Sequence, residues 1–304
     1  MLLNVSSNIQ ITEGRSLNRR LLELLSGVLS PEELSLVYGS FDIVGDIAII
    51  RLSNASQKSA KKIADAIMHV HGNIKTVLAQ TSAVGGEFRL RQLTHIGGEN
   101  RAHTVHRESG CSFSVDVQKC YFSPRLSNER LRLASLIKPR ETVVNMFAGV
   151  GCFSIIIAKY INTAQVFSLD INPTAIQFMQ ENVRLNRVYG QVIPLLGDSK
   201  TIVGSRLRNA ADRVLMPLPE KALEYLSPAV LALKPTGGWI HYYDFEHVTK
   251  GQDPIEKIRL RVAAKLAELC VAYDVPFSRI VRKVGPNWHQ VVLDIHVTRV
   301  SDKF

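Results

Sequence analysis

Two glycines, Gly149 and Gly151, stand in the stretch NMFAGVGCFSIIIAK at residues 145–159, between an apolar segment and a run typical of a buried helix. The pattern predicts a β-strand that ends at Phe147, then a tight turn and a helix, which is the first βα turn of a doubly wound fold. At such a turn the bare backbone and the helix N-terminus can approach a ligand. Ser154 replaces the third glycine of the dinucleotide fingerprint, which disfavours a pyrophosphate clamp, and the sequence has no Gly-Lys-Ser/Thr motif of a P-loop. The stretch therefore predicts a site for another nucleotide-like ligand.

Carboxylates follow the next two predicted strands. Asp170 ends the strand AQVFSLD, nineteen residues after Gly151, where a carboxylate can accept both hydroxyls of a ribose. Asp198 follows QVIPLLG, where it can accept a hydrogen bond from an adenine amino group. The fourth strand, ADRVLM, runs into Pro217 and Pro219, which stiffen the mouth of the pocket.

These strand ends together predict an S-adenosylmethionine-dependent methyltransferase of the Rossmann-like class. The predicted cofactor residues are Phe147, Gly149, Gly151, Asp170, Asn172, Asp198 and Pro217. Enzymes that bind NAD share the ribose carboxylate, and both aspartates could instead cap the helices that follow them.

The elements that must position this site fall into three segments. Residues 1–37 include two short helices broken at Gly27, with Ser30 as an N-cap. Residues 38–119 alternate between strand and helix patterns typical of a small α+β domain. Residues 120–304 alternate strands and helices at the spacing of βαβ units, which predicts an α/β Rossmann-like domain with an antiparallel last strand.

Composition restricts the possible partners. The 304 residues carry a formal net charge of +10, which favours a polyanionic partner such as a nucleic acid. No apolar stretch reaches the roughly 18 to 20 residues of a membrane span, so we expect a cytoplasmic protein with no membrane contact. The four cysteines are widely spaced without a CxxC pair, which indicates neither a zinc site nor a disulfide framework.

Several motifs resemble a known family. They are GEFRLRQL, YFSPRLSNERLRLA, NMFAGVG, LDINPTAI, GDS, DRVLMPLP and GGWIHYYDF, and the similarity runs from about Tyr38 to the C-terminus. Together they resemble the archaeal and eukaryotic tRNA guanine-37 N1-methyltransferases, and within that family the archaeal branch tied to wyosine biosynthesis. The resemblance implies methyl transfer from S-adenosylmethionine to the base 3′ to the anticodon, a small α+β domain that contacts tRNA, and binding of the anticodon loop.

The resemblance also implies catalytic residues. Methylation at N1 of guanine removes a proton and places negative charge on O6, so the site needs a base and a cation. Glu129, in SPRL-x-x-ER, would accept the proton, and Arg89, in GEFRLR, would bind O6. Arg125 and Arg130 would order the site or bind phosphate, with Arg125 close to the cofactor as well. Without the resemblance, Glu129 reads as a helix-surface carboxylate paired with neighbouring arginines.

Two departures from the family leave alternatives open. Many members carry Asn-Leu-Pro where this chain has Pro217-Leu218-Pro219, so the asparagine side chain that would bond the target base is missing. Pro217 and Pro219 would then line a loop that tolerates a larger base, such as the tricyclic wyosine precursor methylated at C7. Only some 37 residues precede the α+β domain, so we expect the tRNA-corner module of full-length relatives to be reduced to a helical pair or absent here.

Two other functions stay open. One is transfer of an aminocarboxypropyl group from S-adenosylmethionine to the wyosine precursor, and the other is RNA binding by a basic, non-catalytic module. The chemistry requires no metal, and we expect a monomer.

Overall fold

The structure is a computed structural model that describes residues 19–35, 37, 41–52, 58–162 and 164–299. The backbone divides into two compact units. The first comprises the described residues up to Arg107 together with Ser114–Arg125, and the second comprises Glu108–Phe113 and the described residues from Leu126 onward. No helix within these described ranges combines the length and the apolar composition needed to cross a membrane. Residues 1–18 of the predicted N-terminal segment lie outside the description.

The first unit combines a helical pair with a small mixed sheet. Its elements are α1 (Arg19–Ser26), α2 (Pro31–Ser35), β1 (Asp42–Val44), β2 (Ile47–Arg51), α3 (Ala60–Val70), β3 (Thr76–Gln80) and β4 (Leu93–Gly98). Among the described residues the sheet has the order β1-β2-β3-β4, with β2 and β3 parallel and the other pairs antiparallel. The predicted N-cap is confirmed: the Ser30 hydroxyl accepts the Glu33 N–H at 3.2 Å, and the Glu33 carboxylate accepts the Ser30 N–H at 2.9 Å.

One apolar core joins the helical pair to this sheet. Leu21 and Leu25 of α1 are buried with Ile63 of α3 and with Ile50 and Val77 of the sheet. The helical pair therefore packs as part of the α+β unit in the described residues. The domain boundaries at residues 37 and 119 stay predictions.

A two-stranded hairpin follows the first sheet. It consists of β5 (His103–Glu108) and β6 (Cys111–Asp116). The division between the two units passes through this hairpin, because its turn-proximal residues 108–113 group with the second unit.

The second unit is an α/β domain. Its elements are α4 (Ser127–Leu136), β7 (Thr142–Asn145), α5 (Cys152–Tyr160), β8 (Gln165–Asp170), α6 (Pro173–Asn186), β9 (Val192–Leu196), α7 (Ser199–Arg206), β10 (Arg213–Met216), α8 (Leu226–Ala232), β11 (Gly238–His247), α9 (Pro254–Glu268), β12 (Ala272–Gly285) and β13 (Trp288–Arg299). The described strands form one sheet in the order β12-β13-β11-β10-β7-β8-β9.

The sheet is parallel from β11 to β9, while β13 and β12 run antiparallel at the other end. Val144, Val214 and Ile240 of adjacent parallel strands are fully buried, as expected for strands covered by helices on both faces. The Rossmann-like fold and the antiparallel last strand are therefore confirmed. The strand order reverses between β7 and β10, so a ligand is expected in the crevice at the carboxyl ends of these strands.

Candidate cofactor and catalytic site

The glycine turn begins two residues earlier than the sequence predicted, because β7 ends at Asn145 rather than at Phe147. The Asn145 side chain accepts the Phe147 N–H at 3.4 Å, so this N–H is bound by a side chain instead of a neighbouring strand. Gly151 is the N-cap of α5 with φ of 93°, a left-handed conformation that favours glycine. A Cβ at this position would lie 2.8 Å from Cγ of Met179. Gly151 therefore serves the corner and the packing of α5, which leaves the turn backbone around Gly149 to face a ligand.

Polar side chains from neighbouring elements hold the turn. The Asn182 amide donates to the Val150 carbonyl at 3.0 Å, and the Ser199 hydroxyl donates to the Met146 carbonyl. Both side chains are buried. Neither residue is among the site residues predicted from the sequence, although Ser199 directly follows Asp198 and Asn182 lies on the helix that follows Asp170. These bonds preorganise the turn, since its carbonyls are satisfied before any ligand arrives.

Asp170 ends β8 beside the turn, as predicted. Its Oδ2 accepts the Gly149 N–H at 2.7 Å and its Oδ1 accepts the Asn172 N–H at 2.9 Å. Burial raises the pKa of Asp170 above the ordinary aspartate value. An ionised carboxylate offers about four acceptor positions, so Asp170 can still accept a hydroxyl beside these backbone donors. The Asn172 side chain caps α6 by accepting the Thr174 N–H at 3.0 Å, which leaves its own backbone as the part nearest to Asp170.

Asp198 is a helix cap as well as a strand-end carboxylate. Its Oδ1 accepts the Lys200 N–H at 2.8 Å at the start of α7, and its Oδ2 accepts the Tyr225 hydroxyl. Burial opposes ionisation, but these hydrogen bonds outweigh it and lower the pKa of Asp198. The Tyr225 ring packs edge-on against Phe147, with ring centroids 5.1 Å apart. The alternative that this aspartate caps a helix is thus correct, and the capped carboxylate also adjoins an aromatic wall beside the glycine turn.

The Pro217-Leu218-Pro219 loop leaves the carboxyl end of β10, the strand next to β7. Pro219 is buried and begins a 3₁₀ turn at Pro219–Lys221. The Met146 N–H donates to the Leu215 carbonyl at 3.0 Å, which ties the glycine turn to this strand. The loop therefore starts at the same sheet edge as the turn.

Glu129 lies in the first turn of α4 and is 1% exposed. Its Oε1 accepts from the Arg132 guanidinium at 2.7 and 2.9 Å and from the Tyr243 hydroxyl at 2.6 Å, and its Oε2 accepts from Arg279. The pairing with arginines agrees with the alternative interpretation, but the surface location in that interpretation is wrong. The Tyr243 ring packs on Phe153 of α5 at a centroid distance of 6.4 Å, which connects Glu129 to the first turn after Gly151.

Arg130 points away from solvent. Its Nε lies 2.6 Å from Oε1 of Glu108, and both side chains are about 5% exposed or less. The guanidinium carbon also lies 5.8 Å from the ring centroid of Phe153. In this conformation Arg130 is a buried ion-pair partner, so its assignment to the substrate stays a prediction.

The remaining predicted residues belong to the first unit. Arg89 has a left-handed φ of 58° in the tight turn closed by the Gly85–Leu90 bridge, and its side chain is half-buried. Arg125 is exposed and its Nε donates to Asp42 at 2.6 Å. The predicted site residues are thus divided between the two units, and the roles of Arg89 and Arg125 stay predictions.

The second unit has the donors and acceptors that S-adenosylmethionine requires. The glycine turn at the strand switch fits the methionine part of that cofactor, the Asp170 carboxylate at the next strand end fits the ribose, and the capped Asp198 beside an aromatic wall fits the adenine. Fold and site define a Rossmann-like, S-adenosylmethionine-dependent methyltransferase domain.

Comparison with protein families then specifies which one. Residues 104–271 match the TRM5/TYW2 methyltransferase domain, and residues 21–101 match the TYW2 N-terminal domain. The chain belongs to the TRM5/TYW2 methyltransferase family, which confirms the resemblance noted from its motifs.

Curated relatives in this family have more than one activity. The chain is 43% identical over 263 residues to the tRNA (guanine(37)-N(1))-methyltransferase Trm5b of Pyrococcus abyssi, covering 85% of this chain and 75% of the relative. It is 36% identical to the tRNA 4-demethylwyosine(37)-methyltransferase Taw21 of Saccharolobus solfataricus, covering 85% of this chain and 94% of the relative. It is 32% identical to the tRNA(Phe) (4-demethylwyosine(37)-C(7)) aminocarboxypropyltransferase of Methanocaldococcus jannaschii, covering 84% of this chain and 97% of the relative.

Solved structures agree with this assignment. The complex of aTrm5 with tRNALeu matches with a TM-score of 0.77 at 34% identity, covering 91% of this chain and 78% of the other. Pyrococcus horikoshii TYW2 in complex with MeSAdo matches with a TM-score of 0.75 at 29% identity, covering 92% and 98%. Two Methanocaldococcus jannaschii relatives, Trm5 and TYW2, were solved with adenosine and with AdoMet (S-adenosylmethionine), which confirms the cofactor predicted from the strand ends.

Proposed function

We propose that this protein transfers a methyl group from S-adenosylmethionine to N1 of guanosine 37 in tRNA. The observation that carries the proposal is the Glu129 carboxylate, held in the first turn of α4 and connected through Tyr243 and Phe153 to the cofactor turn. Guanine N1 carries a proton at neutral pH, so its alkylation requires such an acceptor. The 43% identity to a relative with this activity supports the same assignment.

Each predicted site residue has a separate role in the proposed methyl transfer. Glu129 accepts the N1 proton while the N1 electron pair forms a bond to the methyl carbon and the carbon–sulfur bond breaks. Arg89 stabilises the charge that develops on O6, and Arg125 orients the substrate backbone. When bound, S-adenosylmethionine supplies a methyl group made electrophilic by its positive sulfur. Asp170 holds the ribose, and the Gly149 turn leaves room for the rest of the cofactor.

In this proposal the protein binds tRNA at its anticodon loop. The net charge of +10 suits a polyanion, and a related structure holds tRNALeu. We expect a monomer in the cytoplasm, and sedimentation with and without tRNA measures the stoichiometry. A mass of one chain per tRNA is the expected result.

Methylation at C7 of the wyosine precursor is a second candidate. The observation in its favour is the loop that begins at Pro217, where neither proline offers a side-chain donor to the target base. A loop without a fixed donor tolerates a base with a third ring. The 36% identity to Taw21, of which the chain covers 94%, is consistent with this candidate.

The test uses labelled S-adenosylmethionine and two tRNA transcripts, with guanine or adenine at position 37. We expect label on the guanine transcript alone, and a fall of about 10²- to 10⁴-fold with Glu129→Gln, the range typical of a lost general base. Glu256→Gln, an exposed carboxylate on α9, is the matched control and keeps the rate. Cofactor binding measured for each variant shows that the site is intact.

The other outcomes identify the alternatives. Cofactor binding without label on either transcript points to the modified wyosine precursor as substrate. Product mass then separates a methyl from an aminocarboxypropyl group. Failure to bind S-adenosylmethionine leaves the RNA-binding module as the function.

A further inference from the structure

The buried Glu129 carboxylate raises a problem for its proposed role. A side chain that is 1% exposed and accepts hydrogen bonds on both oxygens cannot contact a nucleobase. At least one donor must leave before the carboxylate can accept the N1 proton. The two oxygens are held differently, and the difference indicates which donor leaves.

The donors on Oε1 belong to a rigid buried network. Arg132, which donates to Oε1, is anchored by Asp294 at 2.6 Å, and Asp294 is bonded at 2.6 Å to Nδ1 of the fully buried His241. Nε2 of His241 faces an Arg213 donor at 2.8 Å, so the imidazole is neutral, with its proton on Nδ1. Burial lowers the pKa of His241, which agrees with this state. All the hydrogen bonds from Arg132 through Asp294 and His241 to Arg213 are formed, so the Arg132 side chain is held in one position.

Tyr243, the other donor to Oε1, is also fixed. Burial and the adjacent Glu129 raise its pKa well above the ordinary tyrosine value, so the hydroxyl keeps its proton and donates. Its ring is fully buried in β11 against Phe153. Movement of Tyr243 would disrupt the sheet core.

Arg279, the donor to Oε2, is different. It lies on the edge strand β12, next to a register irregularity between Ile280 and Arg282, and its side chain is 38% exposed. Its Nε is buried and donates to no group among the described residues. Because the Arg279 side chain is partly exposed and its Nε has no partner among the described residues, moving it costs less than moving the buried Arg132 or Tyr243.

The outer edge of β12 is attractive to a polyanion. Arg279 is followed by Arg282 and by the exposed Lys283 on the same strand. A phosphate offers several acceptor oxygens and satisfies a guanidinium in a bidentate manner, including the Nε that has no partner here.

We propose that Arg279 is a displaceable shield for Glu129. In the free protein it covers Oε2, and a backbone phosphate of the bound RNA draws the guanidinium away. Oε2 then becomes the acceptor for the N1 proton, while Arg132 and Tyr243 keep Oε1 in place. This inference rests on the proposed function in one respect: guanine N1 as the group that gives its proton to Glu129. The contact between Arg279 and Glu129 is a property of the free protein and does not depend on the substrate.

The first test does not require activity. A water-soluble carbodiimide with an amine labels accessible carboxylates, and peptide mass spectrometry quantifies the label on Glu129. We expect about a tenfold increase in Glu129 labelling in Arg279→Ala over wild type, the scale of one lost ion-pair contact. Lys283→Ala removes the same charge from the same strand without touching Glu129 and is the matched control, with unchanged labelling. Unchanged labelling in Arg279→Ala overturns the proposal.

The second test measures tRNA binding and the single-turnover rate separately. Arg279→Ala is expected to raise the tRNA Kd about five- to tenfold and to reduce the slope of log Kd against log salt by about one, because one phosphate contact is lost. Arg279→Lys restores part of the affinity, because a lysine ammonium still pairs with a phosphate. A large loss of saturating rate with an unchanged Kd would mean that Arg279 positions Glu129 instead, and would reject the shield.

The two proposals fail in distinguishable ways. If wild type and all variants leave the guanine transcript unmethylated but Arg279→Ala exposes Glu129 to the carbodiimide, then the proposed substrate is wrong and the shield stands.

Discussion

Asp294 is the carboxylate on which the buried network behind Glu129 depends. It accepts from Arg132 at 2.6 Å and from His241 at 2.6 Å, and its side chain is 5% exposed. Burial works against its ionised form, but the bonds from His241 and Arg132 outweigh burial and lower its pKa to about 2. Asp294→Asn keeps the shape of the side chain and removes this charge.

The sign and size of the effect follow from the lowered pKa. A carboxyl with a lowered pKa contributes stability above its unfolded pKa, here 3.8, and loses it as the pH falls through about 2. Since each pH unit corresponds to about 1.4 kcal/mol, the pH-dependent contribution is roughly 2 kcal/mol. Wild type is therefore expected to be more stable than Asp294→Asn at pH 7, and this difference shrinks by roughly 2 kcal/mol between about pH 4 and pH 2. A pH-independent loss adds to the difference, because Arg132 then keeps Glu129 as its carboxylate partner but loses the charge of Asp294.

Tryptophan fluorescence during urea unfolding measures this difference in the second unit alone, because both tryptophans of the chain, Trp239 and Trp288, lie there. Asp274→Asn is the matched control, since Asp274 is exposed on the same strand pair and contacts His296 at 3.0 Å at the surface. The control is expected to follow wild type at every pH. A difference between Asp294→Asn and wild type that stays constant from pH 7 to pH 2.5 would refute the assignment of an ionised, network-bound Asp294.

Two further predictions concern the cofactor turn. Asp170→Asn is expected to weaken S-adenosylhomocysteine binding about 10- to 100-fold by calorimetry, as one charged acceptor is lost, whereas Asp274→Asn does not. In wild type the affinity should fall as the pH is lowered toward the raised pKa of Asp170, and a pH-independent affinity would contradict the ribose role. Gly151→Ala is expected to destabilise the second unit by about 1–3 kcal/mol in urea, because the φ of 93° and the 2.8 Å approach to Met179 both oppose a Cβ. Gly204→Ala, in α7 with open space around it, is the control, and an equal response of both variants would remove the steric explanation.

Much of the fold followed from local patterns. The Ser30 cap and the helix after Gly151 lie where the sequence placed them, because each depends on residues a few positions apart. The end of β7 was misplaced by two residues, since Met146 and Phe147 are apolar and nothing in the sequence shows that the Phe147 N–H is bound by the Asn145 side chain. Apolar character does not distinguish the last residue of a strand from the first residue of a buried turn.

Local patterns also predicted part of the candidate site, but not the contacts between residues distant in the sequence. The glycine turn and Asp170 come from consecutive βα units, so their proximity follows from the parallel order of the strands. Arg130 looked like a phosphate ligand, but its partner Glu108 is on a hairpin that sequence reasoning did not connect with α4. Asn182 and Ser199 were missed because a polar residue on a helix gives no local signal that it supports a distant carbonyl.

The sequence by itself determined the cofactor turn and the position of Asp170 at the end of its strand, and it singled out the carboxylate in SPRL-x-x-ER, because chain-local spacing and motif residues carry that information. Only the tertiary structure decided the state of that carboxylate. Tyr243 is 114 residues from Glu129, Arg279 is 150 residues away, and Asp294 is 162 residues from Arg132. Burial and ion pairing depend on which distant segments pack together, so the same glutamate could have been a solvated helix residue or, as here, a sealed acceptor with one displaceable partner.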